Sequence, residues 1–366
     1  MTRQKLTALP LTILIALLIT ACGAVATPTT APLPAATTAT GGAATIPATA
    51  ARPGTAVATG GATRTTAATA TRSASAAVGT PVAAPQPKLP VTVNDKNGKA
   101  VTITDLSRVI VLTGDVAETV WALGMGGSVI ATDTSVTYPP EAQRAPKIGY
   151  MRTLAAEGIL TQRPSLILGG ESAGPPEALE QLRGAGVPVL IVATPNTLDA
   201  PTQKIRAIGA ALGIPEVAEA LASWTQAEID AARALAAKAQ TKPRVMFLNV
   251  RGNIVQQISG KGAPAQLLIE AAGGIDAGTA AGVVGYKSIT PEALVAGQPE
   301  FYLLFNLGLE SVGGVDGLLA IPGVDQTPAG QARRVLRYED QYLLGLGPRT
   351  GQMLRELTLA LHPELK

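Results

Sequence analysis

From residue 89 onward, short apolar runs alternate with stretches in which apolar residues recur at helical spacing. The first element is of another kind. Over residues 91–104, VTVND and KAVTIT alternate apolar with polar positions on either side of Asn97-Gly98, which predicts a β-hairpin. Behind it, residues 109–112 (VIVL), 129–132, 166–168 and 187–192 (VPVLIV) are continuously apolar, as strands buried on both faces must be. Residues 117–123, 154–160 and 176–185 carry helical spacing between them. Strand–helix alternation of this kind predicts a parallel sheet with helices on both faces.

Residues 201–240 break the rhythm. KIRAIGAALG predicts one helix, and after Pro215 no strong breaker occurs until Pro243, so a single helix of about 25 residues and about 37 Å is expected. A second series follows: strands over 244–250, 301–305 and 335–338, helices over 265–272 and 291–296, and a closing amphipathic helix over 350–361. The fold class predicted is α/β: two Rossmann-like lobes joined by one long α-helix. The expected boundaries are 89–212 for the first lobe, 213–242 for the linker helix and 243–366 for the second lobe. Open α/β sheets bind ligands beyond the carboxyl ends of their strands, so the cleft between the lobes is the expected site.

The N-terminal part changes the picture of where the protein works. Arg3 and Lys5 precede an apolar run over 11–19, too short to span a bilayer as a mature helix. Ile19-Thr20-Ala21-Cys22 follows, and it resembles the lipobox of bacterial lipoproteins, in which the cysteine is lipidated. Residues 1–22 are therefore expected to be a lipoprotein signal peptide and Cys22 the lipidation site. Cys22 is the only cysteine, so no intramolecular disulfide is expected. Residues 23–88 are Ala, Thr, Pro and Gly in the main, with no acidic residue. Such a segment buries too little apolar surface to offset its chain entropy and is expected to be a disordered tether.

Charge needs dividing accordingly. The chain is formally +3, but residues 1–88 hold six of its 29 basic residues and none of its 26 acidic ones, leaving 23 against 26 in the body. The body is mildly acidic, without a basic cluster interleaved with aromatics, which argues against nucleic acid as a partner. The Gly-rich stretches Gly169-Gly170 and Gly313-Gly314 lack the context of a phosphate loop. An enzyme is not expected: there is no reactive cysteine in the body, no G-x-S-x-G elbow, and the one histidine, His362, stands near the C-terminus.

Candidate chemistry concentrates in residues 132–160, TDTSVTYPPEAQRAPKIGYMRTLAAEGIL. Tyr150 follows a glycine and stands two residues before Arg152. In a chain with one histidine, iron held by the body must rely on oxygen ligands. An anionic phenolate beside a cationic arginine suits a ferric centre.

The body resembles the haem-binding substrate-binding proteins of bacterial ABC importers, whose fold is that of the helix-linked (class III) periplasmic binding proteins for cobalamin, siderophores and haem. The stretches that carry the likeness are SRVIVLTGDVAETVWALGMG, TYP with GYMR, AEGILTQRPSLIL, GPPEALEQLRGAGVPV, GYKSITPEALVAGQPE and LESVGGVDGLLAIPGVDQTPAGQARR. The resemblance implies that Tyr150 is the axial haem-iron ligand. It implies that Arg152 interacts with that tyrosine or with a haem propionate, and that Tyr286 lines the cleft. It implies that Glu157 and Glu292, one per lobe, dock on the permease. Some haem binders add a histidine from the second lobe; here that region reads Asn249-Val250-Arg251-Gly252-Asn253, which favours five-coordinate tyrosinate iron. The expected partners are haem as cargo, an ABC permease with its ATPase, and the membrane through a lipid anchor; a monomer is expected on the outer face of the cytoplasmic membrane. Two further readings stay open on the residues: the same fold taking a corrinoid (cobalamin) or a ferric siderophore, and a structural or sensory lipoprotein.

Overall fold

The computed structural model describes residues 85–366. The signal peptide, Cys22 and residues 23–84 of the expected tether lie outside the described residues. Lys88, assigned to the tether on composition, is docked: its backbone N–H donates to Gly213 O at 2.9 Å and its ammonium meets Glu216 at 3.0 Å.

The hairpin forms as its alternation predicts. Strands Val91–Asn94 and Ala100–Ile103 pair antiparallel. Asp95 closes the turn by accepting from the N–H groups of Asn97 (2.8 Å) and Lys99 (2.9 Å). Gly98 takes a positive φ of 76° that other residues adopt only at a cost.

In the first lobe four parallel strands lie in the order Val129–Thr132, Val109–Val111, Leu166–Gly170, Val189–Val192. The central strands Val109–Val111 and Leu166–Gly170 are buried throughout, as two-sided apolar runs require. Helices Gly114–Ala122 and Ala200–Ala211 contribute Val116, Val120, Ile205 and Ile208 to the core on one face of the sheet. The other face is covered by Leu154, Ile159, Leu179 and Leu182.

The second lobe differs from the expected parallel sheet. Its order is Tyr286–Ser288, Val255–Ser259, Arg244–Arg251, Phe301–Phe305, Val335–Tyr338, with the short strand Ile275–Asp276 beside Arg244–Arg251. Arg244–Arg251, Phe301–Phe305 and Val335–Tyr338 run parallel, while Val255–Ser259 and Tyr286–Ser288 add an antiparallel edge. Its physical basis is a tight turn at Gly252-Asn253, where Gly252 has φ +53°, which sends the chain straight back rather than through a helix.

The linker helix spans Pro215–Ala236, 22 residues and so about 33 Å. It ends short of the expected 25 residues because Ala236 is its last buried residue: Lys238, Gln240 and Lys242 leave no apolar face to bury. Its first half places Ala218 and Ala222 in the core of the first lobe, and its second half places Ile229 and Ala232 in that of the second, against Met353, Leu354 and Leu357 of helix Thr350–Leu361. One rigid helix thus belongs to both cores. Among the described residues no helix is long and apolar enough to cross a membrane.

Candidate functional site

The carboxyl ends of both sheets meet, and hydrogen bonds show where. Thr137 and Tyr138 follow the first-lobe strand Val129–Thr132; Glu339 and Gln341 follow the second-lobe strand Val335–Tyr338. Thr137 Oγ1 donates to Glu339 Oε1 at 2.7 Å, and Gln341 Nε2 donates to Tyr138 O at 3.2 Å. Farther along, Asn196 Nδ2 donates to Gly262 O at 3.0 Å. These contacts form the floor of an inter-lobe cleft.

Beneath them lie two buried charge groups. Glu118, on helix Gly114–Ala122, has a side chain only 4% exposed and accepts from Arg349 N (3.1 Å), Nε (3.0 Å) and Nη2 (2.9 Å). The Arg349 guanidinium is also sandwiched between the rings of Tyr138 and Tyr342, 3.5 and 4.7 Å from their centroids. Lys204, wholly buried, donates to Asp115 and to the carbonyls of Gly345 (2.9 Å) and Leu346 (3.2 Å). Burial pushes the Asp115 carboxyl up, but the Lys204 ammonium more than offsets it and holds the acid below its ordinary range.

Tyr150 stands at the start of a turn closed by Thr153 N–H donating to Tyr150 O at 2.9 Å. Gly149 before it has φ +103°, which explains why a glycine precedes the tyrosine. The turn is pinned from two sides. Met151 N–H donates to Asp133 Oδ2 at 3.3 Å, and Met151 O accepts from Gly174 N–H at 2.8 Å. The Met151 sulfur receives the hydroxyls of Ser135 (3.7 Å) and Ser172 (3.6 Å) and is thereby held inside the loop. The Tyr150 ring is 44% exposed, and its hydroxyl has no hydrogen-bond partner among the described residues. An exposed phenol on a clamped backbone is available to a ligand at little reorganisation cost.

The other expected site residues are dispersed. Arg152 is exposed and lines a cavity of about 420 Å³ with Lys96, Glu171, Ser172 and Arg183, on the flank of the first lobe; no hydrogen bond joins it to Tyr150 among the described residues. Tyr286 begins the edge strand Tyr286–Ser288, opposite Ser259, with 39% of its surface exposed and its phenol pKa raised by burial of the rest. Glu157 and Glu292 are exposed in the first turns of helices Ala156–Leu160 and Pro291–Gly297, one per lobe, without an ion-pair partner among the described residues. His362 is buried, its Nε2 facing Gly273, and so is not at the cleft.

Sequence reasoning missed several residues. Asp133 is fully buried, accepts from both Ser135 N–H (2.9 Å) and Met151 N–H, and has its pKa raised by burial; the signal was an Asp-x-Ser directly after an apolar run. Ile254 and Leu307 are large, exposed apolar side chains just past the carboxyl ends of strands Arg244–Arg251 and Phe301–Phe305. Gly252 N–H donates to Ser311 Oγ at 2.9 Å, which ties the turn carrying Ile254 to the helix Asn306–Ser311 carrying Leu307. Arg251, beside them, pairs with Asp340 and lies 5.3 Å from the Phe305 ring.

Known proteins share this architecture. The periplasmic heme-binding protein RhuT from Roseiflexus sp. RS-1, solved in apo form, is 52% identical, superposes with a TM-score of 0.70, and the match covers 71% of this chain and 99% of that one. The ABC transporter substrate-binding lipoprotein YvrC of Bacillus subtilis (strain 168) is 25% identical over 283 residues, 75% of this chain and 86% of that protein. The vitamin B12-binding protein of Pectobacterium carotovorum subsp. carotovorum (strain PC1) is 34% identical, but over 122 residues only, 33% of this chain and 44% of that protein. With two α/β lobes on a shared helix and a match to the family over residues 109–342, the chain belongs to the periplasmic binding protein family.

Proposed function

We propose that the protein is the substrate-binding component of an ABC importer, capturing haem between its lobes and delivering it to a membrane permease driven by its ATPase. The observation that carries this reading is Tyr150: an exposed phenol on a doubly pinned turn at the carboxyl end of the first-lobe sheet. Tyrosine is an established axial ligand of haem iron. The free phenol has a pKa of about 10, and bonding to ferric iron favours the phenolate strongly. The likeness to a periplasmic heme-binding protein over nearly the whole of that chain supports the choice of cargo.

In this reading Tyr150 Oη is the one strong protein ligand to iron. Arg152, with Lys96 beside it on the cavity wall, offers cations for a propionate reaching that flank. Ile254 and Leu307 from the second lobe supply apolar surface for a macrocycle, and Tyr286 lies on the same lobe's edge. Glu157 and Glu292 are the docking carboxylates toward the permease. Cys22 carries the lipid, and the residues between it and the docked Lys88 tether a monomeric body to the outer face of the cytoplasmic membrane.

The test is competition among ligand classes. Hemin, cyanocobalamin and ferric siderophores are titrated into the protein while its two tryptophans, Trp121 and Trp224, report binding. Saturable hemin binding that neither competitor displaces is the expected result. Preferential binding of cyanocobalamin would replace haem by a corrinoid.

A further inference from the structure

We propose that residues 133–150 form a strap through which the second lobe, by Glu339, Gln341 and Arg349, sets the position of Tyr150, so that parting the lobes loosens the haem. The proposal rests on the reading of Tyr150 as the iron ligand.

The strap is held at its middle by the second lobe. Thr137 Oγ1 donates to Glu339 Oε1 (2.7 Å) and Gln341 Oε1 (3.2 Å), and Thr137 N–H donates to Gln341 Oε1 (3.3 Å). Gln341 Nε2 returns a bond to Tyr138 O (3.2 Å), and the Arg349 guanidinium lies on the Tyr138 ring. The other parts of the first lobe that second-lobe groups hold firmly, Glu118 and Lys204, are buried helix side chains and do not lead into the Tyr150 turn.

The strap is also stiff between that grip and Tyr150. Thr134 N–H donates to Gly149 O (2.9 Å) and Ile148 N–H to Thr132 O (3.0 Å), so the outgoing and returning arms are zipped together. Asp133 Oδ2 accepts from Ser135 N–H on the arm leading to Thr137 and from Met151 N–H in the turn of Tyr150. Lys147 Nζ fills the interior, donating to Thr132 Oγ1 (2.8 Å), Val136 O (3.3 Å) and Ala142 O (3.4 Å). Val136 is buried. A displacement at Thr137 is therefore passed to the Tyr150 turn rather than absorbed by slack. On the far side the turn is fixed to its own lobe through Met151 O and Leu154 N–H on Gly174. Tyr150 thus stands where a first-lobe anchor and a second-lobe tie meet. Lobe separation pulls on one and not on the other. Glu339, Gln341 and Arg349 are positioning residues in this scheme, since they act through the strap.

The test uses the full chain, whose only native cysteine is Cys22. Thr137→Cys with Glu339→Cys removes the tie, and a short bis-methanethiosulfonate bridge restores it until reductant cleaves it. Hemin transfer to excess apomyoglobin gives the dissociation rate, and the tyrosinate-to-iron charge-transfer band reports the Tyr150–iron bond. Thr137→Val, which removes only the hydroxyl, is the second variant, and Tyr302→Phe, in the second-lobe core away from the strap, is the control. The unbridged pair and Thr137→Val are expected to release hemin about tenfold faster or more, with a shifted band, and bridging is expected to return the wild-type rate. Tyr302→Phe is expected to leave both unchanged. Wild-type rates and bands in the unbridged pair and Thr137→Val overturn the strap, as does an equal acceleration in Tyr302→Phe. Failure of the wild-type chain to bind hemin overturns the haem reading itself, and with it the inference.

Discussion

Glu118→Ala is expected to destabilise the protein by about 3 kcal/mol, the lower end of the range of about 3–5 kcal/mol for removing one partner of a buried ion pair. The size follows from what is left behind. Glu118 is 4% exposed and takes three donors from Arg349, whose side chain is 20% exposed. Without the carboxylate, the guanidinium stays between two lobes, largely cut off from water and without its hydrogen-bonded counter-charge. The lower end applies because the rings of Tyr138 and Tyr342 remain, each cation–π contact contributing about 0.5–2 kcal/mol, and because part of the guanidinium reaches solvent. Urea unfolding is the assay. With an m-value of about 3 kcal/mol/M, the midpoint falls by about 1 M at unchanged slope. Glu118→Gln, which keeps acceptor capacity but not charge, is expected to fall between. The pair Glu118→Leu with Arg349→Met is expected to regain most of the loss, because two desolvated charges are replaced together by apolar groups. A Glu118→Ala midpoint that matches wild type to within about 0.5 kcal/mol would refute this reasoning, for it would mean the pair is solvated rather than buried.

Further expectations concern the other buried polar groups and the linker. Lys204 holds the Asp115 carboxyl below its unfolded value of about 3.9, so the stability it contributes is present above that pH and is lost as pH falls through the lower folded value. The stability gap between wild type and Asp115→Asn should therefore shrink on acidification below about pH 4, and a gap independent of pH in denaturant titrations would contradict it. Tyr302→Phe removes a buried 2.8 Å hydrogen bond to Thr327 and is expected to cost about 1 kcal/mol in urea unfolding. Its phenol, pushed up to about 12 by burial, should be absent from the tyrosines that titrate near pH 10 in ultraviolet difference spectra. Gly209→Val drives a side chain into Ala218 where helix Ala200–Ala211 crosses the linker helix, and should cost about 1–3 kcal/mol; an unchanged thermal midpoint would mean the helices part freely.

The first-lobe strands and the closing helix Thr350–Leu361 were legible because burial on both faces, or on one stripe, leaves a periodic record in residues close together in the chain. The antiparallel edge of the second lobe was not. Val255–Ser259 (VQQIS) mixes polar with apolar residues, and Tyr286–Ser288 is exposed throughout, so neither carries the apolar run that marked the other strands. Tyr150, Arg152, Glu157 and Glu292 were singled out through motifs, and their local settings are fixed by neighbouring residues. The inter-lobe floor was hidden for a different reason. Glu118 is visible as an acid inside the apolar helix GDVAETVWA, but its partners Gln341 and Arg349 lie 223 and 231 residues away, and no local pattern pairs them. The Thr137–Glu339 tie, over 202 residues, is hidden in the same way.

The most direct test of the haem reading compares hemin titrations of the full chain and of Tyr150→Phe by ultraviolet–visible spectroscopy. The account predicts a high-spin ferric spectrum with a tyrosinate charge-transfer band in the wild-type protein. It predicts loss of that band in Tyr150→Phe, with affinity reduced about a hundredfold, or about 2.7 kcal/mol. The same bands and the same affinity in both proteins would contradict it.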